Sequence, residues 1–349
     1  MNQFRCLLNL ACVAWLAILF ICLPAQAQTG IDRVQRRNGS DSGQVTETTP
    51  LGVTISKSGV TSQIPAEEIR SITFDGEPPQ FNSIRRALNR SRFDSAQEAL
   101  GNLDPTEMDR PEVRQEFEFL SATVQGDLAL AGKGDMKEAI AAAGGFLSTN
   151  RTSYHVPEVI ELQGNLYLAA GDAASARKKY ETLAKAPAAY YKARSALLVG
   201  QLLQREGIPN GAIEQFDAAI KLASGNTGAE EMLTTAKLQR AVSMSAAGKS
   251  EEGIEAIKLM IVAAPSDEEQ LLAQGYNALG DSYLAAGNLK SARNAYLHVD
   301  LLFATAPDEH AEALYKLARI WEDLKQPTRA KDAQQRLSEQ YPLSPWSGR

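Results

Sequence analysis

The chain has 349 residues, 44% hydrophobic and 22% charged, with a formal net charge of −6, ordinary values for a soluble globular protein. The acidic balance argues against nucleic acid as a partner. The length accommodates two or three domains, or one domain followed by a repeat array.

The first 27 residues have the order of a secretory signal. Arg5 precedes an apolar run from Cys6 to Leu23, and Ala25-Gln26-Ala27 supplies the small-residue cleavage site. Cleavage after Ala27 gives an exported protein, periplasmic or secreted. The rival reading is an uncleaved membrane anchor, because the run approaches the length that spans a bilayer. All three cysteines, Cys6, Cys12 and Cys22, lie in this segment, so the remaining chain has no thiolate for catalysis, metal binding or a disulfide.

Residues 28–78 read as a small β module of four or five strands. Val53 and Ile55 alternate with Thr54 and Ser56, and Ile72 and Phe74 with Ser71 and Thr73, the period of half-buried strands. Asn38-Gly39 predicts a type I′ hairpin turn, and one turn of helix is expected near Ala66–Ile69. The pattern resembles a small SH3-like or Sm-like barrel. Such a barrel could bind a peptide or polymer, or cap the open end of a helical array.

Residues 80–349 read as helices. In residues 268–299 the pattern is Tyr276-x2-Leu279-Gly280-x2-Tyr283, then Gly287 and Ala292-x3-Tyr296. Gly280 and Ala292 are small where two antiparallel helices must cross closely, and the aromatics fill the space between the pair and its neighbours. Equivalent small residues fall at 164, 200, 241, 280 and 318, at intervals of 36, 41, 39 and 38 residues. This closely resembles the tetratricopeptide (TPR) repeat, whose standard unit is 34 residues. Clear repeats are placed near 157–187, 193–224, 234–265, 273–304 and 311–342, with weaker helix pairs over 80–155. The fold class expected is therefore mainly α, a TPR-like solenoid of antiparallel helix pairs preceded by a small β-barrel-like module. The lengthened units and the closing Tyr341-Pro342 segment resemble TPR proteins of bacterial cell envelopes.

No catalytic, cofactor-binding or metal-binding constellation appears. His155, His298 and His310 lack ligand spacing, and His310 reads as part of an acidic helix start. Gly248-Lys249-Ser250 lacks the first glycine of a phosphate loop, since Ser243 stands there, and reads as an inter-helix turn. Arg85, Arg86, Arg90 and Arg92 form a basic cluster, read as a solvated face or as a contact for an anionic envelope polymer such as peptidoglycan.

Binding remains. The TPR resemblance implies a concave face lined by the first helix of each pair, which holds a partner protein. The exposed positions expected there are Asn277, Asp281, Tyr315 and Arg319 on two neighbouring units, with Asn165, Arg194, Gln201 and Arg205 on earlier ones. The set that clamps a peptide carboxylate in some relatives is missing, because Asn165, Leu198, Thr235 and Gln239 occupy the corresponding places.

Overall fold

The computed structural model describes residues 30–226 and 228–347, so the signal segment 1–27 lies outside the described residues. Five antiparallel strands come first: β1 (Asp32–Arg36), β2 (Ser40–Thr49), β3 (Gly52–Lys57), β4 (Val60–Pro65) and β5 (Ile69–Thr73). Their order is β4-β3-β2-β1-β5, and a 3-10 turn, Ala66–Glu68, leads from β4 into β5. The long β2 pairs with β1 up to Gly43 and with β3 from Gln44 onward, with an irregularity between Val45 and Glu47 where it bends. The sheet buries Val34, Val45, Val53, Ile55, Ile64, Ile72 and Phe74.

The type I′ turn lies elsewhere than at Asn38-Gly39. Three residues separate β1 from β2, and there only Gly39 has positive φ, 95°. This is the left-handed residue of a three-residue hairpin. Ser58-Gly59 joins β3 to β4 with both residues left-handed, at 52° and 81°, while Lys57 pairs with Val60. Loop length, rather than the identity of the dipeptide, decided the turn.

From Gln80 onward the described residues form fourteen α-helices in seven pairs. The first three pairs are α1 (Gln80–Leu88) with α2 (Phe93–Gly101), α3 (Pro111–Leu130) with α4 (Met136–Thr149), and α5 (Val156–Ala169) with α6 (Ala173–Leu183). Next come α7 (Ala189–Arg205) with α8 (Pro209–Ala223), and α9 (Glu230–Ala246) with α10 (Ser250–Ala263). The last two are α11 (Glu269–Ala285) with α12 (Leu289–Leu302), and α13 (Pro307–Asp323) with α14 (Pro327–Gln340).

Each turn within a pair is built alike. At Gly287 φ is 72°, and the next N–H, of Asn288, donates 2.8 Å to the Tyr283 carbonyl. This bond closes the first helix as a Schellman cap. Ser91 and Lys325 hold the same left-handed position in the first and last pairs, at 52° and 59°. Gly248 turns the chain in the same way, so Gly248-Lys249-Ser250 is a helix connection.

The two helices of a pair meet at one close contact. A Cβ added to Gly164 would lie 2.4 Å from the ring of Tyr180, one on Gly280 2.4 Å from Tyr296, and one on Gly200 2.7 Å from Phe216. These rings are buried. The tyrosine hydroxyls are satisfied by the residue after the glycine: Tyr180 donates to Asn165 Oδ1 at 2.8 Å and Tyr296 to Asp281 Oδ1 at 2.6 Å. Along the array α3 packs on α5, α7 on α9, α9 on α11 and α11 on α13, while no two second helices make a comparable contact. First helices therefore line the inner, concave side.

Gly280→Ala is expected to lower stability by about 1–3 kcal/mol in chemical denaturation, because the Tyr296 ring is too confined to move aside. Gly145→Ala, mid-helix in α4 with open space around its Cβ position, should instead raise it by about 0.5–1 kcal/mol.

Candidate functional site

The sheet is joined to the helices through buried charge. Asp32 is fully buried and accepts from the backbone of Val45 at 2.7 Å and of Asp75 at 2.8 Å. Arg110, at the start of α3, grips it with both terminal guanidinium nitrogens, at 2.6 and 2.8 Å. Arg85 on α1 donates to the Ile72 carbonyl at 2.9 Å, to Glu77 at 2.6 Å and to Glu116 at 2.7 Å. This corrects the reading of Arg85 as a solvated or polymer-binding residue: only Arg86, Arg90 and Arg92 of that cluster are exposed. The Arg85 and Glu77 contacts also occupy part of the outer edge of β5, where Glu77 accepts from the Phe74 N–H.

Glu116 is the centre of this joint. Its second oxygen faces His155 Nε2 at 2.9 Å and Tyr154 Oη at 3.3 Å, and the His155 ring stacks on Phe119 with centroids 3.4 Å apart. Burial alone would raise the Glu116 pKa, but His155 and Arg85 outweigh it and hold it down at about 2. Burial alone would likewise lower the His155 pKa, and Glu116 reverses this to a net rise. Glu116 thus favours the protonated form of His155 inside the joint.

On the concave side two walls face each other across a groove of about 870 Å³. The sheet contributes Gln35, Arg37, Ile69 and Arg70, and the helices contribute Phe119, Asp127, Glu158, Glu161, Leu162 and Asn165. One wall is basic and the other acidic. Burial, with a lesser contribution from the Glu158 charge, pushes the Asp127 pKa up to about 6. The sheet is more than an end cap, because its β1–β2 turn reaches α7. There Arg37 donates to Tyr190 Oη at 3.0 Å and lies 5.5 Å over that ring.

A second, smaller cavity of about 210 Å³ opens between α9, α11 and α13. Asn277, Asp281, Asp308, Glu309, Glu312 and Trp346 border it. Asn277 is not the exposed contact residue expected from its helical position. It is 3% exposed and donates to the Glu309 carbonyl at 2.9 Å, because α13 of the next unit covers it. Among the described residues its Oδ1 has no hydrogen-bond partner. Leaving such a buried acceptor unmade costs about 1–3 kcal/mol.

The other expected positions divide between these two places. Asn165 borders the groove, as does Glu161, which is paired with Arg194 at 2.9 Å. Asp281 borders the cavity and holds Lys316 at 2.5 Å as well as Tyr296. Tyr315 is half-buried against Trp346, with centroids 5.2 Å apart, and Arg319 is exposed above the Tyr315 ring. Gln201 and Arg205 lie on α7 between the groove and the cavity. Sequence reasoning does not single out Glu116, Asp127 or Glu312. Each is an acidic residue on an ordinary helical pattern, and only its tertiary neighbours distinguish it.

His310 is not merely part of a helix start. It is 2% exposed, facing Asp300 at 2.8 Å and Tyr341 Oη at 2.7 Å. Among the described residues no group of three histidines, cysteines or carboxylates is placed to hold a metal ion. No helix among them is long and apolar enough to cross a membrane.

Stacked helix pairs with a glycine seat, a Schellman turn and a concave first-helix face define a tetratricopeptide-type repeat protein with an N-terminal antiparallel sheet. A family model described as "Tetratricopeptide repeat" matches residues 312–344, covering most of α13 and all of α14. Among solved structures, the chain is similar to a tetratricopeptide repeat protein from Parabacteroides merdae ATCC 43184. The two share 17% identity over 77% of this chain and 98% of that one, with a TM-score of 0.53. It is similar also to the Rap protein complexed with Competence and Sporulation Factor, at 13% identity over 76% of each chain and a TM-score of 0.52. At these identities the likeness is one of fold. A search of curated proteins by sequence returned no match.

The Glu116–His155 pair makes pH dependence testable. A raised histidine pKa stabilises the fold below the unfolded value near 6.5, and that contribution disappears as pH rises through the folded value. The Glu116 contribution is present above the unfolded value near 4.5 and disappears as pH falls through about 2. By NMR titration of its ring protons, His155 should titrate above 6.5, and in Glu116→Gln below it.

Proposed function

We propose that the chain is a non-catalytic scaffold that holds an extended segment of a partner protein on the concave side of its array. The groove between β5 and the helices α3 and α5 carries this reading. Its walls have opposite charge, and Phe119 and Leu162 add apolar lining. An extended segment with acidic groups toward Arg37 and Arg70 and basic groups toward Asp127 and Glu158 complements both walls. Asn165 and Arg194 belong to this contact, and Gln201, Arg205, Asp281, Tyr315 and Arg319 continue it along the inner face. The Rap protein, which shares the fold, has been solved with a bound factor, and this supports a binding role for such an array.

The reading extends to location. Arg5, the apolar run Cys6–Leu23 and the Ala25-Gln26-Ala27 site support export to the cell envelope with cleavage after Ala27. N-terminal sequencing of the protein recovered from the producing cells should then begin at Gln28. A chain beginning at Met1 in the membrane fraction would establish the anchor instead.

The groove is tested by site-specific photo-crosslinking in the full chain. A photoreactive residue in place of Arg70 should yield one discrete adduct, lost when Glu158→Arg reverses the opposite wall. The same residue in place of Glu255, exposed on α10, should give none. Equal adducts at both positions would dismiss the groove as the binding face.

A further inference from the structure

We infer that the inner face of α13 carries a seat for a tryptophan side chain of a partner segment, and that the chain's own C-terminal tail keeps this seat filled with Trp346. The inference rests on the reading of the concave side as a binding face, and adds a self-inhibiting contact to it.

The seat follows from the repeat. Tyr315 stands three residues before Ala318, as Asn277 stands three before Gly280, so the two hold the same place in successive first helices. In α11 that place is covered by α13 of the next unit, through the bond from Asn277 to the Glu309 carbonyl. Among the described residues no helix follows α14, so no further unit covers Tyr315. The tail does so instead. The Trp346 ring lies 5.2 Å from that of Tyr315, tilted by 39°, and 5.6 Å from Lys316 Nζ. It also borders the cavity of about 210 Å³ together with Leu238 and Gln239 of α9 and Ala278 and Asp281 of α11. Trp346 therefore lies on the concave side, where a partner segment would run.

The tail can give up this ring without unfolding. Its turn is tied to the end of α14, where the Ser344 N–H and the Ser347 hydroxyl donate to the Tyr341 carbonyl at 3.0 and 2.6 Å. Rotation of the Trp346 side chain empties the seat while this turn stays closed. Trp346 is half-buried, whereas Trp321, in the core of the same pair, is 5% exposed. The seat keeps its form when the ring leaves, because Lys316 is held between Asp281 and Glu312 at 2.5 Å each. An aromatic face beside a fixed cation suits an electron-rich ring, and indole best. A partner's tryptophan would replace like with like, so the seat alone gains little from the exchange. Only a segment with further contacts along the inner face displaces the tail, which makes Trp346 a filter on what binds.

The probe is N-acetyl-tryptophanamide, titrated calorimetrically into the full chain, into Trp346→Ala, and into Trp346→Ala combined with Tyr315→Ala. It should bind Trp346→Ala saturably and about tenfold or more tightly than it binds the unaltered chain, and the double variant should lose that gain. N-acetyl-leucinamide, which has no ring, should show no gain in Trp346→Ala. Absence of binding to Trp346→Ala, equal affinity for it and the unaltered chain, or a gain that survives Tyr315→Ala would overturn the inference. So would an equal gain for the leucine amide. Loss of helical circular dichroism in Trp346→Ala would overturn it too, because Trp346 would then be a structural cap. The photo-adduct at Arg70 reads the groove alone, so the seat at α13 can fail while the groove stands, and the reverse.

Discussion

The contact on which the array depends is a glycine against a ring. At Gly164, Gly200 and Gly280 the first helix has no side chain, and an aromatic from the second helix lies in the space. This sets how closely the pair can cross, and so the spacing of the units stacked on it. It also reaches the surface. A buried tyrosine hydroxyl needs an acceptor, and the nearest is the residue after the glycine, on the concave side. Asn165 and Asp281 are therefore oriented by the core before any partner arrives. In the unit of Phe216, which has no hydroxyl, Gln201 is released from that duty.

A second constraint joins the sheet to the helices. A module of about 45 residues has little core of its own, and here it is secured by Arg110 on Asp32 and by Arg85 on the Ile72 carbonyl, with Glu116 of α3 holding Arg85 in place. Both carboxylates are buried, so each needs several donors to offset the loss of water. Glu116 obtains them from Arg85, His155 and Tyr154, which come from α1 and from the start of α5. The joint therefore spans the first three helix pairs. Breaking one member leaves a charge buried without its partner, so the sheet and these helices depend on one another.

The repeat and the strands are legible in the sequence because each is a local pattern. Tyr276, Gly280, Tyr283 and Tyr296 recur with the period of a helix packed on its own partner, and Val53, Ile55, Ile72 and Phe74 with that of a one-sided sheet. Contacts between units leave no such mark. Asn277 has the spacing of an exposed residue, and only α13 of the next unit, about 30 positions later, buries it. Arg85 has the pattern of a solvated residue for the same reason, its partner Glu116 being 31 positions away. The hairpin at Asn38-Gly39 departs from expectation differently: the dipeptide is a local signal, but the number of residues between the strands decides the turn. The sheet's reach to α7 likewise has no signal, since Arg37 is an ordinary exposed arginine until Tyr190 is placed beneath it.

That reach has a mechanical consequence. A stack of helix pairs behaves as a spring, bending through small rotations shared among its interfaces. The hairpin at Arg37, rooted through Asp32 and Arg110 on α3 and attached to Tyr190 on α7, works as a strut across the early coils. Those coils cannot open without pulling the strut loose, whereas, among the described residues, no side chain of the sheet hydrogen-bonds to the helices from α9 onward. Compliance is therefore unequal along the molecule, with a stiff root at the sheet and an elastic arm beyond it.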